Sequence, residues 1–237
     1  MPQGLRFNVD VVFCVDVSGS MVEHLERVKR KILEWPKDFN EALARTNRAV
    51  QKLRVRVVLF ADLRDTPESL LATQFFVIHQ QPEADTPASV TQLAEFESFV
   101  YSISTSGGGD EPESALEALS VAIGSEWTHE GDKQRHVIVL FTDSSAHKLE
   151  SRVGEIPSAF RAQVPASLDE LTALWDGDSS SRLKKPARRL IVFAPDIYPW
   201  NVIGDSWGMT IWLPSQASEC LDDVEFKAIT SMIVNAI

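Results

Sequence analysis

The sequence predicts an α/β domain with a mainly parallel sheet of six strands and helices on both faces. Three observations lead there. Short β-branched runs alternate with stretches of helical periodicity along the whole chain. The runs are apolar nearly throughout, as strands buried on both faces are. Four of them end in an aspartate, Asp16, Asp62, Asp143 and Asp196. Those aspartates fall on the carboxyl edge of a parallel sheet, where open α/β sheets carry their sites.

The elements follow in order. Phe7 to Val15 reads as a buried strand, and Asp16 to Ser20 as a turn. From Met21 a helix follows, with Val22, Leu25, Val28, Ile32 and Leu33 at helical spacing; Pro36 is expected to kink or break it, with the pattern resuming at Phe39 and Leu43. Val55 to Ala61 gives a second strand, and Gln74 to His79 a short third one at the edge. Residues 82–88 read as loop, and Val90, Leu93, Phe96, Phe99 and Val100 as one face of a helix. After Gly107-Gly108-Gly109-Asp110-Glu111, Pro112 suits a first helical turn, with Leu116, Leu119 and Ile123 as the helix face. Val137 to Phe141 is a fourth strand, 144–166 irregular, Leu168 to Trp175 a short helix, and 176–188 an exposed loop. Leu190 to Ala194 and Met209 to Leu213 are the fifth and sixth strands, and Asp223 to Ile237 a closing helix. With no internal repeat and no composition break, one domain over 1–237, its core starting at about residue 7, is the economical reading.

Composition narrows the function. The 237 residues are 44% hydrophobic and 24% charged, an ordinary globular balance. Lys plus Arg number 23 against 34 Asp plus Glu, a net charge of −11, and the pI is near 4.9. Nonspecific attraction to nucleic acid or an anionic membrane is therefore not expected. Two cysteines, Cys14 and Cys220, make no disulfide or zinc framework. The start, Met1-Pro2-Gln3-Gly4-Leu5-Arg6, does not read as a signal peptide. The expectation is a cytoplasmic protein with no membrane span.

The densest chemistry is Asp16-x-Ser18-x-Ser20. In an extended loop, alternate residues point the same way, so a carboxylate and two hydroxyls converge. Those oxygens suit a hard cation such as Mg²⁺, and crowded carboxylates on one edge call for one. A helix cap before Met21 is the plainer alternative.

The order of motifs is more specific than any one of them. DxSxS follows the first buried strand, a Gly-rich acidic loop precedes a helix, and a later buried strand ends in Thr142-Asp143. With these features the chain resembles the von Willebrand factor A domain family, from about Phe7 to Ile237. The resemblance implies a doubly wound, Rossmann-like sheet of order 3-2-1-4-5-6 with an antiparallel short third strand. It also implies a metal-ion-dependent adhesion site built from three loops, and a protein-interaction module rather than an enzyme. Carried over by motif, the metal-binding residues are Asp16, Ser18, Ser20, Asp110 and Asp143. Asp110 stands where the family usually has threonine; the Gly-Gly-Gly-Asp-x-Pro-Glu form resembles a branch with aspartate there, and Thr105 and Ser106 are nearby alternative oxygens. Asp110 also suits an N-cap, and the two roles are compatible. The extra carboxylate predicts tighter retention of the ion and a weaker pull on an acidic ligand.

The expected cofactor is Mg²⁺, or Mn²⁺ or Ca²⁺. The expected partner is another protein, engaged through an Asp or Glu that completes the metal shell, in a scaffold or adaptor role. An alternative is a Mg²⁺-dependent phosphotransferase of haloacid-dehalogenase type with Asp16 as nucleophile. Its acid/base position, two residues on, is Ser18, which disfavours that reading. A structural member with an empty site is a third.

Smaller features have plain readings. Asp62 to Asp65 reads as a solvated turn with a local Arg–Asp pair, or as a second cation site; Asp62 and Asp196 also read as helix caps. His147 reads as a surface-loop residue. Trp212 reads as core, and Trp200 and Trp207 stand open between core and a partner-binding patch.

Overall fold

The structure, a computed structural model, describes residues 7–46, 50–81, 91–107, 111–149, 155–214, 230, 231 and 234. Strand β1 (Phe7–Asp16) is buried at all ten positions, as its unbroken apolar run requires. It lies between β2 (Val50–Phe60) and β5 (Lys133–Phe141), parallel to both. Beyond β5 come β6 (Arg188–Ala194) and β7 (Thr210–Pro214), also parallel.

The expected third strand is two strands, β3 (Leu71–Ala72) and β4 (Phe76–Gln80), both antiparallel to β2. Among the described residues the sheet therefore has seven strands, in the order β3-β2-β1-β5-β6-β7 with β4 also on β2. Counting β3 and β4 as one interrupted strand, this is the expected order. Thr73 causes part of the break: its hydroxyl accepts a hydrogen bond from Val57 N at 3.1 Å and donates one to Gln74 O at 2.8 Å.

Successive residues of β1 face opposite sides. Val11, Phe13 and Val15 meet helices α1 (Leu25–Ala44) and α2 (Leu93–Ser102). Val12 and Cys14 meet α3 (Ala115–Ile123), α4 (Leu168–Asp176) and α5 (Trp200–Ser206). A 3-10 turn over Gly19–Glu23 leads into α1, which runs unbroken through Pro36, against expectation. The apolar face continues on both sides of the proline, through Ile32, Trp35, Phe39 and Leu43, all buried. Each such burial is worth about 1.5–3 kcal/mol, against ~3 kcal/mol for an internal proline. Trp35 also packs on Phe39 and Phe13, with ring centroids 4.9 and 5.8 Å away.

Three further expectations change. Pro112 precedes α3 instead of opening it, because the chain at Glu113 pairs with Ala146 before turning into the helix. Helix α5 was not foreseen in a seven-residue stretch containing Gly204 and Asp205. Trp175, Trp200 and Trp207 are all buried and Trp212 packs partly buried against them, so the tryptophan patch is core. The expected closing helix over Asp223 to Ile237 lies outside the described residues apart from Thr230, Ser231 and Val234. Among the described residues, no helix is long and apolar enough to cross a membrane.

Candidate metal-binding edge of the sheet

The parallel strands β1, β2, β5 and β6 deliver their carboxyl ends to one edge, and the acidic and hydroxyl groups gather there. Asp16, the last residue of β1, is fully buried. Its Oδ1 accepts a hydrogen bond from Ser18 N at 2.9 Å, and its Oδ2 accepts one from Thr142 Oγ1 at 2.5 Å. Burial pushes its carboxyl up to about 6, while the bonds from Ser18 and Thr142 hold it lower and the Asp143 charge raises it.

The turn after β1 is fastened on both sides: Val17 N donates to Phe60 O at 2.8 Å, and Ser106 N donates to Val17 O at 2.6 Å. The first contact ties the turn to β2, the second to the loop before Gly107. Gly107 has φ +95°, and a Cβ there would stand 3.3 Å from Thr66 Oγ1, so this position favours glycine on both counts. On the other side of the loop, Lys29 Nζ donates to Tyr101 O and Ile103 O, both at 3.1 Å, a cation on the last carbonyls of α2.

Three of the expected ligands then fall into one chain. Ser18 Oγ lies 3.0 Å from Ser20 Oγ, and Ser20 Oγ donates to Asp143 Oδ1 at 2.9 Å. The single Ser20 proton goes to Asp143, so Ser20 meets Ser18 as an acceptor, and the Ser18 hydroxyl is shared between Ser20 and Glu113. Adjacent oxygens of an octahedral Mg²⁺ shell, with bonds of about 2.0–2.1 Å, stand about 2.9 Å apart. The Ser18–Ser20 and Ser20–Asp143 separations match that edge, and the donor set is all oxygen, so the residues present fit a hard cation. Among the described residues no three His, Cys, Asp or Glu side chains form a metal cluster on their own; the set here is mixed hydroxyl and carboxylate. Asp110 lies outside the described residues. Thr105 and Ser106 are described, and Ser106 serves the edge through its backbone.

Two residues at this edge were missed as site residues. Thr142 locks the second Asp16 oxygen and also accepts from Ser144 N at 3.2 Å. Glu113 is 2% exposed, and its Oε2 has no hydrogen-bond partner. Burial drives its carboxyl up to about 8, with the Asp16, Asp62 and Asp143 charges adding to the shift and a Ser18 hydrogen bond opposing it. Its backbone fixes it in place: Glu113 N donates to Ser145 O at 3.0 Å, and His147 N donates to Glu113 O at 2.9 Å. The pairing with β5's extension, and not helical periodicity, brings this carboxyl inward, so only its place in the Gly-rich acidic motif signalled it.

The smaller expectations are corrected here. Asp62 accepts from Arg64 N at 3.0 Å, closing its own turn, and its Oδ2 stands 3.3 Å from His147 Nε2. His147 is therefore an inward-facing residue, its side chain 11% exposed. The Arg64 side chain pairs with Glu155 at 3.3 Å, and only its backbone N bonds an aspartate of its own turn. Asp196 is exposed, and α5 carries no side-chain cap.

A family model described as von Willebrand factor A domain matches residues 47–172, more than half of the chain. None of the curated proteins matches. Among solved structures, proximal thread matrix protein 1 from the mussel byssus, with a zinc-occupied MIDAS motif, is similar at 12% identity and a TM-score of 0.48, over 96% of this chain and 46% of that one. A von Willebrand factor type A protein from Catenulispora acidiphila is similar at 13% identity and a TM-score of 0.38, over 96% and 42%. The pilus adhesin SpaC from Lactobacillus rhamnosus GG is similar at 14% identity and 0.38, over 60% and 16%. The chain spans less than half the length of each of these three.

Proposed function

Because the chain belongs to the von Willebrand factor A domain family, we propose that it is a divalent-cation-dependent protein-interaction module. It works as a single domain with no catalytic role of its own, as a cytoplasmic scaffold or adaptor. The observation that carries this reading is the chain of oxygens from Ser18 through Ser20 to Asp143 at the carboxyl edge of the sheet, anchored to Asp16 through Ser18 N.

Ser18, Ser20 and Asp143 would hold the ion, and the motif assigns Asp110 as a further ligand. Asp16, engaged by Ser18 N and Thr142, acts as the buried anchor that orients the serine turn. Glu113 lies behind them, its carboxyl raised to about 8 by burial, and adds negative charge once it ionises. A bound Mg²⁺-class cation would supply Lewis acidity for a partner's Asp or Glu carboxylate. The chain's own residues do the rest: Thr142 and Ser18 N hold the Asp16 carboxylate in one orientation, and the buried Asp16 and Ser18 form a fixed floor beneath the exposed Ser20 hydroxyl.

The phosphotransferase alternative has less support. Both oxygens of Asp16 are already engaged, and the position two residues on is a serine. An attacking carboxylate needs a free oxygen and an acid/base partner.

Titration calorimetry with Mg²⁺ and Mn²⁺ tests the reading. The account expects one saturable site in the wild type and none in the Ser18→Ala/Ser20→Ala double variant. Undiminished binding in the double variant would place the ion elsewhere and overturn the assignment.

A further inference from the structure

We propose that a second pocket, on the flank of the sheet beside β2, binds a phosphoryl group through Arg56 and Arg182. The pocket has a volume of about 370 Å³ and is lined by both arginines with Arg54, Gln74, Phe75 and Gln163, among others. It also includes Gly124, the residue that ends α3. Helix α3 starts just after Glu113 and is nine residues long, so about 13 Å of helix separates this pocket from the acidic edge.

The break between β3 and β4 builds one wall. Thr73 O accepts a hydrogen bond from Arg56 Nε at 2.8 Å, and Gln74 and Phe75 follow directly. Arg54 forms the floor and is already neutralised. Its Nε and Nη2 bind Asp10 at 2.8 and 2.7 Å, and its guanidinium lies 4.3 Å from the Phe75 ring centre.

Arg56 differs. Among the described residues its remaining hydrogen bond runs from Nη1 to Ser125 Oγ at 2.7 Å, so both of its bonded partners are neutral and Nη2 makes no hydrogen bond. Burial lowers its pKa, which marks a guanidinium held partly out of water without a bonded counter-charge. Arg182 reaches the same rim, with Nη1 3.3 Å from Gly124 O and 3.8 Å from Glu126 Oε1. Glu126, 85% exposed at its side chain, is the one carboxylate among the lining residues. Two guanidinium groups thus face one solvated carboxylate, on a chain whose net charge is −11.

Guanidinium forks match phosphate oxygens in bidentate geometry, and a phosphate dianion offers more acceptors than a carboxylate. The side-chain amides of Gln74 and Gln163 make no hydrogen bonds among the described residues and supply further donors.

The test is calorimetric titration of the whole chain with inorganic phosphate and with AMP, at fixed ionic strength. Saturable binding is expected for both probes, weakened about tenfold in Arg56→Gln and at least about threefold in Arg182→Ala, the loss of one or two charge-assisted bonds. Ser18→Ala/Ser20→Ala should bind both as the wild type does. Tighter binding of AMP identifies a nucleotide as the source; equal affinities identify the phosphoryl group alone as the feature read. Arg56 also ties Thr73 to Ser125, so Arg182→Ala, on the exposed rim, keeps the test independent of folding. No saturable binding by the folded wild type, or binding unchanged in both arginine variants, overturns the proposal.

Discussion

Lowering the pH should destabilise this fold through one residue, His136. It lies on β5, fully buried, with its ring stacked on Trp127 at 5.0 Å between centroids. Its Nε2 donates to Thr128 O at 3.0 Å, and its Nδ1 accepts from Lys184 N at 3.4 Å. Those two bonds specify the neutral ring, since a proton on Nδ1 would face the Lys184 N–H. Burial pulls its pKa down to about 4; the Thr128 bond and the Asp10 charge oppose the shift, and His129 and Lys184 reinforce it. The unfolded chain binds the proton near pH 6.5 and the folded one only near 4, so stability falls as pH drops through that window. The loss is about 2 kcal/mol by pH 5 and levels off near 3 kcal/mol below pH 4, at ~1.4 kcal/mol per unit.

Urea unfolding at pH 7.5 and pH 5 measures this, on the wild type and on His136→Phe. The phenyl ring keeps the stack on Trp127, and its loss of two hydrogen bonds is independent of pH. Other titrating groups cancel in the comparison. The wild type should lose about 2 kcal/mol more than the variant between the two pH values. Equal losses would refute the reasoning, since His136 would then titrate alike in both states.

Other outcomes follow from the same geometry. At pH 9, where the Glu113 carboxyl with its value of about 8 is ionised, Glu113→Gln should raise the thermal midpoint of the ion-free protein. The same change should weaken Mg²⁺ binding by roughly 5- to 30-fold, the Coulomb term for one nearby charge; scanning fluorimetry and calorimetry read the two effects. Asp110→Thr should bind Mg²⁺ more weakly than the wild type, and tighter binding in calorimetry would contradict the electrostatic role given to that aspartate. Gly204→Ala should cost about 1–3 kcal/mol in urea unfolding, because its Cβ would stand 2.6 Å from Trp212 Cε3 and 2.8 Å from Trp212 Cβ.

The sheet was legible because its central strands are written as unbroken apolar runs. Phe7 to Val15 could be read as buried on both faces with no tertiary information, and the residue ending each run located the edge. The serine turn was legible for the same reason, since Asp16, Ser18 and Ser20 are local in sequence. What could not be read depended on pairing between distant segments. Glu113 looked like part of a helix start, and only its bridge to Ala146 turns its carboxyl toward Asp16. Thr142 stands beside an expected ligand, yet its contact with Asp16 spans 126 positions. The split into β3 and β4 turns in part on the Thr73 hydroxyl, and the passage of α1 through Pro36 on core packing. Neither has a signature at helical or strand period.

The central claim is the place of the ion. Crystals of the chain grown with Mn²⁺ and measured for anomalous scattering test it most directly. The account predicts one strong peak within coordination distance of the Ser18 and Ser20 hydroxyls, next to Asp143. An ordered serine turn with no peak there, or with the only peak elsewhere on the chain, would contradict it.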